Sequence, residues 1–191
     1  MIWFTSDHHF GHENIIKYTN RPFRNADEMD EVMIERWNSA VASDDLVYHL
    51  GDFTLFGIEN FWEYALALTG RICIIPGGHD KRWLNGFIDQ DNVAVLGNLV
   101  IRDNILPKKG MHKMALTMCH YPMLSWEQSH YGAPHLHGHT HGTIPVVGES
   151  GDTQLPPDQK RGLRIDVGVD TNNFYPYSLE KIIYMLKGGK K

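Results

Sequence analysis

Leu46-Val47-Tyr48-His49-Leu50-Gly51-Asp52 joins an apolar run of strand length to an acid, reached through a glycine. A short apolar run bounded by turn residues reads as a buried strand, and the acid then stands at its carboxyl end. The chain opens in the same way, Ile2-Trp3-Phe4-Thr5 running into Ser6-Asp7-His8-His9. A third run, residues 71–75, ends in Pro76-Gly77-Gly78-His79-Asp80. Between the runs the period changes. Met29, Val32, Met33, Trp37 and Ala40 share one helical face behind Asn25 and Glu28, which are spaced as a capping box, so a helix is expected over 26–42. A second helix is expected over 58–68, stopped by Thr69-Gly70. The first two strands are each followed by a helix, and the fold class expected is α/β.

After Asp91 the texture is short strands separated by turn residues: 93–96, 99–102, 114–119, around Leu136, 143–147 and 163–169. Residues 148–161, rich in Gly, Pro and Asp, read as an exposed loop, and 188–191 as a frayed tail. Residues 178–186 fit a closing helix or a strand. No repeat, heptad or low-complexity linker is found.

A length of 191 residues fits one domain, 1–191, with one active site. With 42% hydrophobic and 21% charged residues the chain has an ordinary globular composition. Its net charge of −5 argues against a broad basic surface for coating nucleic acid. Cys73 and Cys119 lie in apolar runs and read as buried reduced thiols, which suits a cytoplasmic setting. No apolar stretch approaches the roughly 20 residues that span a bilayer, and Met1 to Phe4 is too short for a signal-peptide core. The unusual quantity is 12 histidines, a surplus that points to metal binding or proton transfer.

Hard divalent cations need carboxylates and imidazoles held on rigid elements, and open α/β sheets present such groups beyond the carboxyl ends of their strands. Asp7 and His9, two residues apart, point to one side if their segment is extended. Asp52 follows a glycine, and His79 follows two. His120 leads out of the run at 114–119, and Gly138-His139-Thr140-His141 offers two more imidazoles at a spacing of two. Two carboxylates and five imidazoles suffice for two metal sites and one free acid or base.

In this order the five blocks (Asp7 with His9, Gly51-Asp52, Gly77-Gly78-His79-Asp80, His120, Gly138-His139-Thr140-His141) make the chain resemble the calcineurin-like metallophosphoesterases over nearly its whole length. The resemblance implies a four-layer α/β/β/α sandwich. It implies that Asp7, His9 and His141 hold one metal, that Asp52 bridges, and that His120 and His139 hold the second, leaving His79 as acid or base. Two divalent ions are implied, drawn from Mn, Fe, Zn or Ni, with Mn the one expected to serve in vitro. One position departs from the pattern: Gly78 stands where the family carries an Asn ligand.

The activity implied is hydrolysis of a phosphomonoester or phosphodiester, possibly of a small nucleotide-type substrate. Hydroxide held between the two ions would attack phosphorus in line while His79 protonates the leaving alkoxide and Asp80 orients its imidazole. Arg82 and His12 are candidate substrate-binding residues. His137 could support the ligand pair beside it, and Arg21 reads best as solvated surface. His8, His49, His112, His130 and His135 carry no assigned role. An alternative is a catalytically weakened metal-binding scaffold, because Gly78 offers no ligand; a third reading is a single-metal hydrolase such as an amidase.

Overall fold

In a computed structural model, which describes residues 1–103, 105–106, 114–144 and 163–188, the three acid-tipped runs lie side by side. Strands β1 (Ile2–Thr5), β2 (Leu46–His49), β3 (Arg71–Ile74) and β4 (Val93–Val95) pair in parallel, and β9 (Tyr177–Ser178) closes the other edge antiparallel to β1. The sheet order is β4-β3-β2-β1-β9. Thr5 stands opposite His49, and His49 opposite Ile74. Three carboxyl ends are therefore level, and their loops emerge along one rim.

A second sheet takes β5 (Leu99–Arg102), β6 (Leu116–Cys119), β7 (His135–His137) and β8 (Arg164–Asp166) in the order β5-β6-β7-β8. β5 is antiparallel to β6, while β6, β7 and β8 are parallel, so the loops after β6 and β7 also leave from a common end. A bridge between Ser6 and Gly168 ties that end to the rim of the first sheet.

Strand residues alternate between two cores. On one side Val47, Ile72 and Ile74 bury against α2 (Ala26–Ala40) and α3 (Ile58–Ala67) through Met29, Met33, Trp37, Phe61 and Ala65. On the other, Phe4, Tyr48 and Leu50 meet Leu116, Met118, Leu136 and Ile165 of the second sheet, with Ile182 and Met185 of α5 (Leu179–Leu186) added. Burial on both faces is why the first three strands read as continuous apolar runs.

Helix α2 starts at Asn25, whose side chain accepts the Glu28 N–H at 2.9 Å. The other half of a capping box is replaced, since the Glu28 carboxylate accepts from the Arg24 backbone and guanidinium instead. The helix stops at Ala40 and not at residue 42 because Val41 turns extended and buries its side chain. Residues 178–186 resolve into both readings. Ser178 ends β9 opposite Trp3 and at the same time caps α5, accepting the Lys181 N–H. Two short helices, α1 (Glu13–Tyr18) and α4 (Lys81–Leu84), were too brief to show a period. Thr143 and Ile144 are not in a strand; the rest of the strand expected over 143–147, the loop over 148–161 and residues 189–191 lie outside the described residues. Among the described residues no helix is long and apolar enough to cross a membrane.

Candidate metal centre

Four loops, after β1, β2, β6 and β7, converge at the shared rim and form two three-residue groups. Asp7, His9 and His141 make one, and Asp52, His120 and His139 the other; within each group one ligand atom per residue lies within 4.8 Å of the others. Asp52 stands between them: its Oδ2 is 3.4 Å from His120 Nε2 and 3.7 Å from His9 Nε2, which belongs to the neighbouring group.

The extended geometry expected for the two pairs of residues spaced by two is not what brings them together. Asp7, His9, His139 and His141 all have positive φ, 59°, 52°, 69° and 47°, and Asp52 has 55°. Left-handed backbone costs an L residue roughly 1 to 2 kcal/mol, and such strain persists only where surrounding contacts hold it. Three buried charged side chains do so here. Arg21 donates from one nitrogen to the Asp7 carbonyl at 2.7 Å and from another to the His8 carbonyl at 2.9 Å. Asp80 accepts four N–H groups, from Asp52, Phe53, Gly77 and the Trp83 indole, at 2.7 to 2.9 Å. Asp166 accepts from the Thr140 hydroxyl and the Gly142 and Gly168 amides around the His139–His141 turn.

These contacts correct several expectations. Asp80 has its acceptor capacity filled by the Asp52 loop and lies buried, so it shapes that loop and does not orient the His79 imidazole. Arg21 is buried and structural, not solvated surface. Arg82 does not line the pocket, because α4 turns Trp83 into the core and leaves Arg82 outside, near the Leu55 carbonyl. His12 does line it, at the N-terminal end of α1. His137 donates from Nδ1 to the Gly138 carbonyl inside the ligand loop.

Asp170 went unnoticed in the sequence. Its Oδ2 accepts from His141 Nδ1 at 2.7 Å, which leaves His141 Nε2 facing the site. His120 is set in the same way by donating from Nδ1 to the Leu50 carbonyl at 2.7 Å. His8 and His49 form a second unforeseen pair, Nδ1 to Nε2 at 2.9 Å, fully buried among Phe10, Trp37 and Phe53. The Gly51 N–H donates to His49 Nδ1, so His49 carries its proton on Nε2 and donates to His8.

Two observations fit a cation at each group. His9 Nε2 and His120 Nε2 are buried with no hydrogen-bond partner among the described residues, an arrangement that costs about 1 to 3 kcal/mol per group unless something satisfies it. The donor set, carboxylate oxygen with imidazole nitrogen, suits Mn, Fe, Zn or Ni. The electrostatics agree. Burial pushes the Asp7 carboxyl up to about 7 against the pull of His120 and His141. Burial lowers His9 well below its usual value. Burial also pulls His120 down, but the Asp52 and Asp7 carboxylates outweigh it and raise the imidazole to about 9. A cation at Nε2 would take the place of that proton.

Access is through a pocket of about 650 Å³ lined by His9, His12, Ile15, Tyr18, His79 and His139 among others. Glycines allow the close approach of its walls. A Cβ at Gly138 would collide with Ser6 Oγ and Asp7 Oδ2, and one at Gly77 with Asp52 Oδ1.

An α/β protein with paired Asp/His groups at the carboxyl ends of its strands is the class that these features define. No family model matches the chain. It is 31% identical over 191 residues to the uncharacterized protein MJ1445 of Methanocaldococcus jannaschii, covering 99% of this chain and 93% of that one, and it belongs to the family of that protein. The Gene 66 protein of Mycobacterium phage D29 is 26% identical over 162 residues, covering 75% of this chain and 79% of the phage protein. Among solved structures, a protein of unknown function from Aquifex aeolicus, AQ665, shares the fold with a TM-score of 0.62 at 22% identity, over 97% of this chain and 98% of that one.

Proposed function

We propose that this chain is a dinuclear metal-dependent phosphoesterase of the calcineurin-like metallophosphoesterase kind, acting on a small phosphorylated substrate. The observation that carries the reading is the placement of Asp52 Oδ2 between His120 and His9, members of two adjacent ligand groups, with Nε2 of each imidazole buried and without a hydrogen-bond partner among the described residues. The helical layer of α2 and α3 and the two facing sheets would make three of the layers of an α/β/β/α sandwich.

Asp7, His9 and His141 would hold one divalent cation and Asp52, His120 and His139 the other, with Asp52 shared. Bound there, two such cations would neutralise phosphoryl oxygens and activate the water whose oxygen replaces the alcohol on phosphorus. The chain's own residues supply the rest. Asp170 and the Leu50 carbonyl fix which nitrogen His141 and His120 present. His79 faces the pocket half exposed, its backbone N–H donating to Asp52 Oδ1 at 2.9 Å, so its ring is carried on a ligand. From there the imidazole gives its proton to the oxygen of the departing alcohol as the bond to phosphorus breaks.

Loading the protein with manganese, counting metal per chain and assaying an aryl phosphodiester tests the reading. Two equivalents and turnover are expected, with both lost in Asp52→Asn. One equivalent, or no ester hydrolysis with Mn, Fe, Zn or Ni, would overturn it; metal bound without turnover points to the scaffold alternative.

A further inference from the structure

We infer that Tyr121 is a catalytic residue of this site: its hydroxyl donates a hydrogen bond to the phosphoryl group held over Asp52, His120 and His139. The inference rests on the phosphoesterase reading above and adds a residue that the metal-ligand pattern does not contain.

Three observations place the hydroxyl. The Tyr121 ring packs edge-on against both imidazoles of the second ligand group, with centroids 4.8 Å from His120 and 4.8 Å from His139. Its oxygen reaches across to the opposite loop and stands 3.0 Å from where a Cβ of residue 78 would be, the one close neighbour of that position. Gly78 lies between Gly77, which abuts Asp52 Oδ1 and His120, and His79, whose N–H binds Asp52. The phenol therefore reaches from the rings of His120 and His139 to the loop at Gly78, whose neighbours on either side touch Asp52.

The chemistry of a neutral phenol decides its role. The Tyr121 hydroxyl makes no hydrogen bond among the described residues, and the side chain is 47% exposed, so its donor is available to a ligand. A protonated phenol is a weak ligand for a hard cation but a good donor to an anionic oxygen. It adds no charge, so it binds a phosphoryl oxygen without competing with the cations. The backbone behind it is fixed: His135, buried on β7, accepts the Met123 N–H two residues on, and Pro122 lies between. A Cβ at residue 78 would stand 3.0 Å from the phenol oxygen, and the phenol, being the movable partner, must give by a few tenths of an ångström.

That contact supplies the test. Tyr121→Phe keeps the ring against His120 and His139 and removes only the oxygen, whereas Gly78→Ala keeps the oxygen and shifts it by a few tenths of an ångström. With manganese-loaded protein, orthophosphate affinity by calorimetry and turnover of bis(4-nitrophenyl) phosphate are measured for both variants and for the double variant, with bound manganese counted in each. Loss of one hydrogen bond to an anionic oxygen should weaken orthophosphate binding about tenfold. Tyr121→Phe should show that loss at unchanged metal content, Gly78→Ala should show no more than that loss, and the double variant should be no worse than Tyr121→Phe alone. An active wild type whose Tyr121→Phe variant matches it in orthophosphate affinity and turnover would overturn the role of the tyrosine alone, as would losses that add in the double variant. A wild type that binds no orthophosphate and hydrolyses no ester overturns the phosphoesterase reading and this inference with it.

Discussion

Arg21 and Asp170, 149 residues apart in the chain, form a two-pronged ion pair, Nε to Oδ1 and a terminal nitrogen to Oδ2, each at 2.8 Å. The pair connects two ligand loops, because Arg21 also holds the Asp7 carbonyl and Asp170 also accepts from His141 Nδ1. Asp170→Asn leaves the shape of the side chain nearly unchanged but strips Arg21 of its buried counter-charge. Removing one partner of a buried pair costs about 3 to 5 kcal/mol, so urea denaturation should show a loss near the lower end. Disturbing the orientation of a ligating histidine typically weakens metal affinity about 10- to 100-fold, and manganese titration should fall in that range. The exposed pair between Arg24 and Glu28 is the control, and Glu28→Gln should alter neither measurement.

Asp80 separates two explanations cleanly. If it oriented the His79 imidazole, Asp80→Asn would lower turnover and leave folding intact. The structure gives it four N–H groups to accept, three of them backbone groups of Asp52, Phe53 and Gly77. An amide in its place turns a donor toward donors, and each buried N–H left unmet costs about 1 to 3 kcal/mol. The expected outcome is a loss of about 3 kcal/mol in chemical denaturation, together with weaker manganese binding because Asp52 is no longer held in its left-handed conformation.

The division between what was legible and what was not follows from distance along the chain. Asp7, His9, Asp52, His79 and His120 each follow an apolar run, and His139 and His141 stand two apart in Gly138-His139-Thr140-His141, so a local pattern was enough to select them. Their supports were not local. Asp170 belongs to a polar turn after β8 and Arg21 to a loop after α1, and nothing in either neighbourhood announces the other. The backbone misled in a different way. A spacing of two suggested extended segments, yet the ligand loops use positive φ, which Asp and His tolerate better than most residues but do not advertise. Tyr121 adjoins a ligand, but only the approach of the Gly78 loop gives its hydroxyl a place.

Asp30 predicts a pH dependence outside the ligand set. Burial raises its carboxyl from the ordinary 3.8 to about 6, opposed by the Tyr64 phenol and the Gly11 N–H it accepts. The folded state thus binds this proton more tightly than the unfolded chain. The sign follows: the stabilisation is full below about pH 4 and is lost as pH rises through about 6. Two pH units correspond to at most about 3 kcal/mol. Asp30→Asn keeps an acceptor for Gly11 and cannot ionise, so it should gain on the wild type between pH 4 and 6 in denaturation experiments and run parallel to it above 7. Parallel curves throughout would mean that the carboxyl titrates normally.

His79 offers a prediction in which the identity of the alcohol matters. The ring is 52% exposed, meets the His9 ring edge-on at 5.4 Å and makes no side-chain hydrogen bond among the described residues, so His79→Ala should leave stability and manganese content close to wild-type values. Proton transfer to a leaving group contributes about 10²- to 10⁴-fold in rate, and its value depends on how badly the departing oxygen needs a proton. A 4-nitrophenolate leaves with little help, whereas an alkoxide does not. Turnover of an alkyl phosphate ester should therefore fall by about 10³-fold in the variant while that of the 4-nitrophenyl ester falls much less. Equal losses for the two esters would assign His79 to binding the phosphoryl group and not to protonating the alcohol.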